Sequence, residues 1–188
     1  MRKLLYLHGF TSGPTSRKAR MLAARLAERG LADRLLCPQL PPSPAAAIRL
    51  AESLLAEGAG TLIGSSLGGF YATYLAAKHG LRAVLVNPAV LAQLTLADFV
   101  GHHRPLYGGE EFDFTWTHVA ELFALEVGPL TRPEHFWLLV EQGDELLDWR
   151  IAQARYAGCR QTILPGGSHA FEQWPQWLDA IIDFAQTD

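Results

Sequence analysis

The sequence predicts an α/β protein, a mostly parallel sheet of about six strands with helices on both faces. Three observations carry this. Short apolar runs alternate with longer amphipathic segments along the 188 residues. Those runs are apolar at consecutive positions, as expected of strands buried on both faces. One of them, Thr61-Leu62-Ile63, leads into Gly64-Ser65-Ser66-Leu67-Gly68, which fits the G-x-S-x-G turn from strand to helix.

Each element has its own signal. Lys3-Leu4-Leu5-Tyr6-Leu7 is an apolar strand ended by His8-Gly9-Phe10. Residues 11–16 are turn formers. Thr15 or Ser16 is placed to cap a helix that runs to about Arg29 and stops at Gly30. Leu22, Ala23 and Leu26 give that helix its apolar face. Leu35-Leu36-Cys37 is a second strand, and residues 38–44, with four prolines, read as extended loop. A helix over residues 45–57 buries Ile48, Ala51, Leu54 and Leu55 and is ended by Gly58 and Gly60. After the motif strand, a helix runs from Leu67 to His79 and Gly80 stops it; Ala83-Val84-Leu85-Val86 then forms a strand closed by Asn87-Pro88.

Between about residues 90 and 135 the alternation breaks. Helical patterns cover residues 91–100 and 116–125, with an irregular stretch over 101–109. An insertion of this length between strands is usually functional or mobile. The rhythm resumes with a strand over 136–140, a helix over 148–157, a strand over 161–164 and a loop, Pro165-Gly166-Gly167-Ser168-His169. The last helix carries Trp174, Trp177, Leu178, Ile181, Ile182 and Phe184, a stripe suited to core packing.

Composition narrows the function classes. A net charge of -3 without a basic stripe argues against nucleic-acid binding. No stretch approaches the ~20 apolar residues of a membrane span. The apolar run after Met1-Arg2-Lys3 is too short for a signal peptide and breaks at His8-Gly9. Cys37 and Cys159 have no metal-ligand spacing, which points to a reduced, cytoplasmic protein. His102-His103 suggests a metal site but lacks a spaced third ligand.

In parallel sheets, functional loops gather at the carboxyl ends of strands. His8-Gly9-Phe10, Ser66, Asp144 and His169 all fall there. A serine hydroxyl is a weak nucleophile until a base takes its proton, and His169 is suited to that task. Ionised Asp144 would fix the imidazole tautomer. Glu145 and Asp148 are rival acids, but Asp144 comes first after its strand. Backbone N–H groups of Leu67 and Phe10 are candidates for an oxyanion site. His8 reads as a packed strand-end histidine, and Asn87-Pro88 as a strand terminator near the site.

Six segments occur in order: Tyr6-Leu7-His8-Gly9-Phe10, Pro38-Gln39-Leu40-Pro41-Pro42, Gly64-Ser65-Ser66-Leu67-Gly68-Gly69, Val86-Asn87-Pro88-Ala89, Gln142-Gly143-Asp144-Glu145 and Gly166-Gly167-Ser168-His169-Ala170-Phe171. Together they resemble the YqiA-type bacterial esterases, a family within the α/β-hydrolases, over nearly the whole chain. That resemblance implies one compact α/β-hydrolase domain over residues 1–188 and ester hydrolysis through Ser66, Asp144 and His169.

The expectation is therefore a serine esterase that hydrolyses short-chain acyl esters through an acyl-enzyme. It would use a small-molecule substrate and need no metal or organic cofactor. Residues 90–135 would form a cap in which Phe99, Tyr107, Phe112, Phe114 and Trp116 line or cover the acyl site. A thioesterase, or a non-catalytic ligand-binding protein on the same scaffold, is the alternative.

Overall fold

Strands β1 (Lys3–Leu7), β2 (Leu35–Leu36), β3 (Ala59–Ser65) and β4 (Arg82–Val86) build the first part of the sheet. Next comes an antiparallel hairpin, β5 (Gly101–His103) and β6 (Phe112–Phe114), before β7 (Phe136–Glu141) and β8 (Arg160–Leu164) return to the sheet. The helices are α1 (Arg17–Glu28), α2 (Pro44–Ala56), α3 (Leu67–His79), α4 (Ala92–Thr95), α5 (Trp116–Ala124), α6 (Trp149–Arg155) and α7 (Trp174–Gln186). The computed structural model describes residues 3–186, so the basic start at Met1 and Arg2 lies outside the described residues.

The six-stranded sheet has the order β2-β1-β3-β4-β7-β8, and every neighbouring pair is parallel. From β1 the chain first adds a strand on one side and then crosses to the other. The connections therefore diverge between β1 and β3, which opens a crevice at their carboxyl ends. Leu7 pairs with Gly64 there, so the His8-Gly9-Phe10 loop and the Ser66 turn leave the sheet side by side.

The two faces of the sheet bury different residues of the same strands, because side chains alternate along a strand. Leu5, Leu7, Leu62, Leu85 and Leu138 pack with α2, α3 and α5. Leu4, Tyr6, Ile63, Val86, Trp137 and Leu139 pack with α1 and α7 on the other face. Trp174, Ile181 and Ile182 have no solvent exposure, as the α7 stripe predicts.

Several local readings change. Pro44 is not loop: it is the first residue of α2, where its missing N–H costs nothing, and the Ser43 side chain caps the Ala46 N–H. Gly60 does not end a helix; it lies buried inside β3. Ala23 faces solvent, and Ala19 joins Leu22 and Leu26 on the buried face of α1. The helical pattern over 91–100 splits into α4 and a 3₁₀ turn, Leu96–Phe99. The stretch expected to be irregular begins with strand β5, whose short span and histidine content hide its pairing with β6. The second half of the 90–135 segment also enters the main core, where Phe114, Val119 and Leu122 are buried.

Candidate active site

The turn from β3 to α3 holds Ser66 at φ 56°, ψ -122°. An L-residue in that region carries a local strain of roughly 1–3 kcal/mol, which the surroundings must impose. They do so by hydrogen bonds and by lack of room. The Ser66 N–H donates to Val86 O at 3.0 Å, and Ser66 O accepts the N–H groups of Gly69 (2.9 Å) and Ala89 (3.0 Å). A Cβ on Gly64 would strike the Gly68 carbonyl, and a Cβ on Gly68 would strike Leu7 O. Glycine at both positions lets the start of α3 press onto the ends of β1 and β3.

His169 Nε2 lies 3.1 Å from Ser66 Oγ. His169 Nδ1 lies 2.8 Å from Asp144 Oδ2 and 3.1 Å from Oδ1. A carboxylate accepts only, so Nδ1 carries the proton and Nε2 is left to accept from the serine hydroxyl. The Asp144 side chain is 2 % exposed and that of His169 20 %, so the charge is held away from water while the imidazole edge stays reachable.

Asp144 is also a loop cap: its Oδ1 accepts the N–H groups of Leu146 and Leu147, both at 2.9 Å. The rival acids make other contacts. Glu145 is exposed and accepts the His169 backbone N–H at 2.9 Å, which holds its carboxyl below the usual range. Asp148 caps α6 by accepting the Arg150 N–H.

Two polar residues tie the loops together, and the sequence marks only one of them. Asn87, at φ 40° after β4, accepts the Glu141 N–H at 3.0 Å and donates to Ser168 O (3.0 Å) and His169 O (3.3 Å). Glu141 ends β7 with no solvent exposure. Its Oε2 accepts the N–H groups of Ser168 and Glu172, and its Oε1 that of Gln173, all at 2.8 Å. A charged residue at the end of an apolar run is ordinarily the first solvated loop position. Only the folded loop reveals that this one is buried.

The His8-Gly9-Phe10 loop lies against the Ser66 turn. A Cβ on Gly9 would sit 3.1 Å from Ser66 Cβ. Among the described residues, neither the Phe10 nor the Leu67 N–H donates to a protein acceptor, as candidate oxyanion donors require. His8 is structural, as its position suggests: it is buried, and its Nε2 accepts the Leu40 N–H at 3.0 Å. Nδ1 then carries the proton toward Gly9 O, 2.9 Å away.

Of the aromatic residues expected to line an acyl site, Phe112 and Tyr107 line cavities beside Ser66. Phe99 and Phe114 instead pack their rings edge-on against Phe10, together with Phe112 and His103 (centroids 4.9–6.1 Å). Trp116 is 66 % exposed and lines neither cavity, because the first turn of α5 points it outward. His102 is flanked by Asp113 (2.9 Å) and Glu111 (3.1 Å) on the hairpin, whose carboxylates raise its pKa. Among the described residues, no group of three or more His, Cys, Asp or Glu is placed to hold a metal ion. No helix among them is long and apolar enough to cross a membrane.

A family model described as "Uncharacterised protein family (UPF0227)" matches residues 3–186. Solved structures resemble the whole chain at low identity. Est1E from Butyrivibrio proteoclasticus is 13% identical with a TM-score of 0.66, over 97% of this chain and 86% of that one. An esterase domain from a Rhodothermus marinus protein is 17% identical with a TM-score of 0.67, over 98% and 86%. Alpha/beta hydrolase domain-containing protein 10 from mouse is 14% identical with a TM-score of 0.68, over 96% and 88%.

Proposed function

The chain belongs to the UPF0227 family and has the α/β-hydrolase fold, and from that premise we propose that it is a serine esterase acting on carboxylic esters of short acyl chains. One observation carries the reading: Asp144, His169 and Ser66, from the loops after β7, β8 and β3, form a continuous chain of contacts, 2.8 Å and 3.1 Å long, at the carboxyl ends of the strands. The esterases among its structural neighbours support the same reaction class.

In this mechanism Ser66 Oγ attacks the ester carbonyl as His169 Nε2 takes the hydroxyl proton. Asp144 stabilises the imidazolium that forms. The Phe10 and Leu67 amides donate to the carbonyl oxygen as it gains charge; losing one such donor typically costs about 3–4 kcal/mol of transition-state stabilisation. The C–O bond to the alcohol then breaks, and the imidazolium returns its proton to that oxygen. Water, deprotonated by the same imidazole, hydrolyses the acyl-Ser66 ester. Cys37 and Cys159 are free thiols, which fits a reducing compartment such as the cytoplasm.

The deciding measurement is hydrolysis of p-nitrophenyl butyrate by wild type and Ser66→Ala, with a reactive-serine probe as a second readout. Loss of turnover and of labelling in a folded Ser66→Ala protein is expected. Undiminished hydrolysis by that variant would refute the mechanism.

A further inference from the structure

We propose that the site selects esters whose alcohol portion carries an anionic group, a carboxylate or a phosphate, bound by Arg17 and Lys18. This rests on the serine-esterase reading and adds to it a direction and a charge.

The direction follows from proton transfer. His169 Nε2 must hand its proton to the leaving oxygen, so the alcohol lies on the His169 side of Ser66. The carbonyl oxygen points to the Phe10 and Leu67 amides, and the acyl chain extends beyond them. Two cavities match these two sides, and they meet at Gly9, Phe10 and Ser12. The one lined by Phe10 and Leu67 has a volume of about 430 Å³; Leu40, Pro41, Pro42, Tyr71 and Phe112 give it an apolar wall suited to an acyl chain, and Glu110 and Glu111, which also line it, disfavour an anionic group there. The one that contains Ser66 and His169 has a volume of about 330 Å³, and Arg17, Lys18, Tyr107 and Glu145 line it.

The charge follows from how those residues are occupied. Glu145, the one acidic side chain lining the second cavity, is engaged by the His169 backbone N–H. Lys18 Nζ donates to Ala170 O at 2.9 Å, one residue beyond His169, and keeps two further N–H donors. Among the described residues, the Arg17 guanidinium has no carboxylate partner. The lining therefore holds two cations against one carboxylate, with the Glu141 and Asp144 charges also acting on Lys18.

Arg17 is exposed and Lys18 half-buried, and the placement is locally unfavourable for both. Arg17 and Lys18 are the first two residues of α1, at the positive end of its dipole, with no acidic residue in the first turn and no side-chain cap from Ser16. Burial and the neighbouring Arg17 charge push the Lys18 ammonium down to about 8, which leaves it mostly protonated at pH 7. An anion between the two side chains would relieve both penalties.

The test compares 4-carboxyphenyl butyrate and 4-(phosphonooxy)phenyl butyrate with the neutral 4-(methoxycarbonyl)phenyl butyrate at pH 7 and low salt. In wild type at least one anionic ester should exceed the neutral one in kcat/KM by a ratio roughly fivefold larger than in Arg17→Ala. The ratio should invert in Arg17→Glu and shrink as salt is added. The better of the two anions identifies the group. Calorimetric titration with the alcohols alone, 4-hydroxybenzoate, 4-hydroxyphenyl phosphate and methyl 4-hydroxybenzoate, makes the same comparison without turnover. Anionic-to-neutral ratios that are equal in wild type and Arg17→Ala, in kinetics and in binding, would overturn the proposal while leaving the esterase reading intact. Turnover that survives in Ser66→Ala would instead overturn the reading beneath it.

Discussion

Glu141 Oε2, with no exposure to solvent, accepts the N–H of Ser168, the residue before His169, at 2.8 Å. With the bonds from Glu172 and Gln173, the carboxylate holds three backbone donors of the loop that carries His169. Glutamine at this position keeps one acceptor oxygen and turns an NH₂ toward N–H donors. Glu141→Gln should therefore lose about 2–3 kcal/mol of stability and lower kcat for ester hydrolysis more than it raises KM. Asn87→Ala, which frees Glu141 N–H and releases Ser168 O and His169 O, should act on the same loop. The double variant should be less damaging than the sum, because both act through one network. Denaturation midpoints and steady-state kinetics on the four proteins check this; strict additivity would separate the two residues.

His8 gives a pH prediction of definite sign. Burial lowers its pKa below the ordinary 6.5, and protonation at Nε2 would break the bond from the Leu40 N–H. Above pH 6.5 the imidazole is neutral in both folded and unfolded chains, and its stabilising bonds are fully present. As pH falls through 6.5 the unfolded chain takes up a proton that the folded chain resists, so stability declines until the lowered folded pKa is passed. Urea denaturation at pH 7.5 and 5.5 should show wild type losing more stability across that interval than His8→Gln. Equal losses would mean that His8 does not contribute to acid sensitivity.

The succession of strands and helices, the Ser66 turn and the strand-end loops that carry Asp144 and His169 are legible along the chain because each depends on local signals. An apolar run, a glycine pair at a tight turn and a polar residue in the loop after a strand need no knowledge of distant neighbours. What escapes is what depends on non-local pairing. β5 and β6 are three-residue strands that pair across an eight-residue connection, and nothing in Gly101-His102-His103 announces a partner at Phe112–Phe114. Glu141 looks like a surface residue until the His169 loop closes over it. The sequence suggests that the Trp116 ring lines or covers the site, because it is one of several aromatic residues in the insertion. Its place at the start of α5 turns it to solvent instead.

The hairpin supports the Phe10 loop through its aromatic side chains, and two of them should separate support from core packing. Phe114 is 1 % exposed, with its ring centroid 5.1 Å from that of Phe10. Phe114→Ala should cost about 3–5 kcal/mol of stability, as buried phenylalanine truncations do. Phe112 is only half-buried and touches Phe10 at 5.8 Å. Phe112→Ala should leave stability within about 1.5 kcal/mol of wild type, the size of a modest aromatic contact, yet lower kcat by loosening the Phe10 amide. Thermal melts paired with p-nitrophenyl butyrate kinetics distinguish the two effects. An unchanged kcat in Phe112→Ala would remove the hairpin from any role in holding that amide.

Gly9 and Gly68 both border Ser66, but a methyl group added at each meets a different obstacle. At Gly68 it would run into the Leu7 backbone carbonyl, which the sheet fixes in place. The helix start would have to lift away from β1, so Gly68→Ala should cost roughly 3 kcal/mol, at the upper end of overpacking penalties. At Gly9 the contacts are Ser66 Cβ at 3.1 Å and Ser65 O at 3.4 Å, which a shift of a few tenths of an ångström relieves. The part that yields is the loop carrying the Phe10 amide. Gly9→Ala should therefore fold with nearly wild-type stability while losing on the order of tenfold in kcat, since small displacements of a positioned donor weaken only the transition state. KM should change less than kcat, because Leu40, Pro41, Pro42 and Tyr71 on the far wall of the larger cavity are untouched. A Gly9→Ala protein with wild-type kcat would show that the Phe10 amide is not an oxyanion donor, and a Gly68→Ala protein of wild-type stability would show that the turn tolerates the clash its geometry implies.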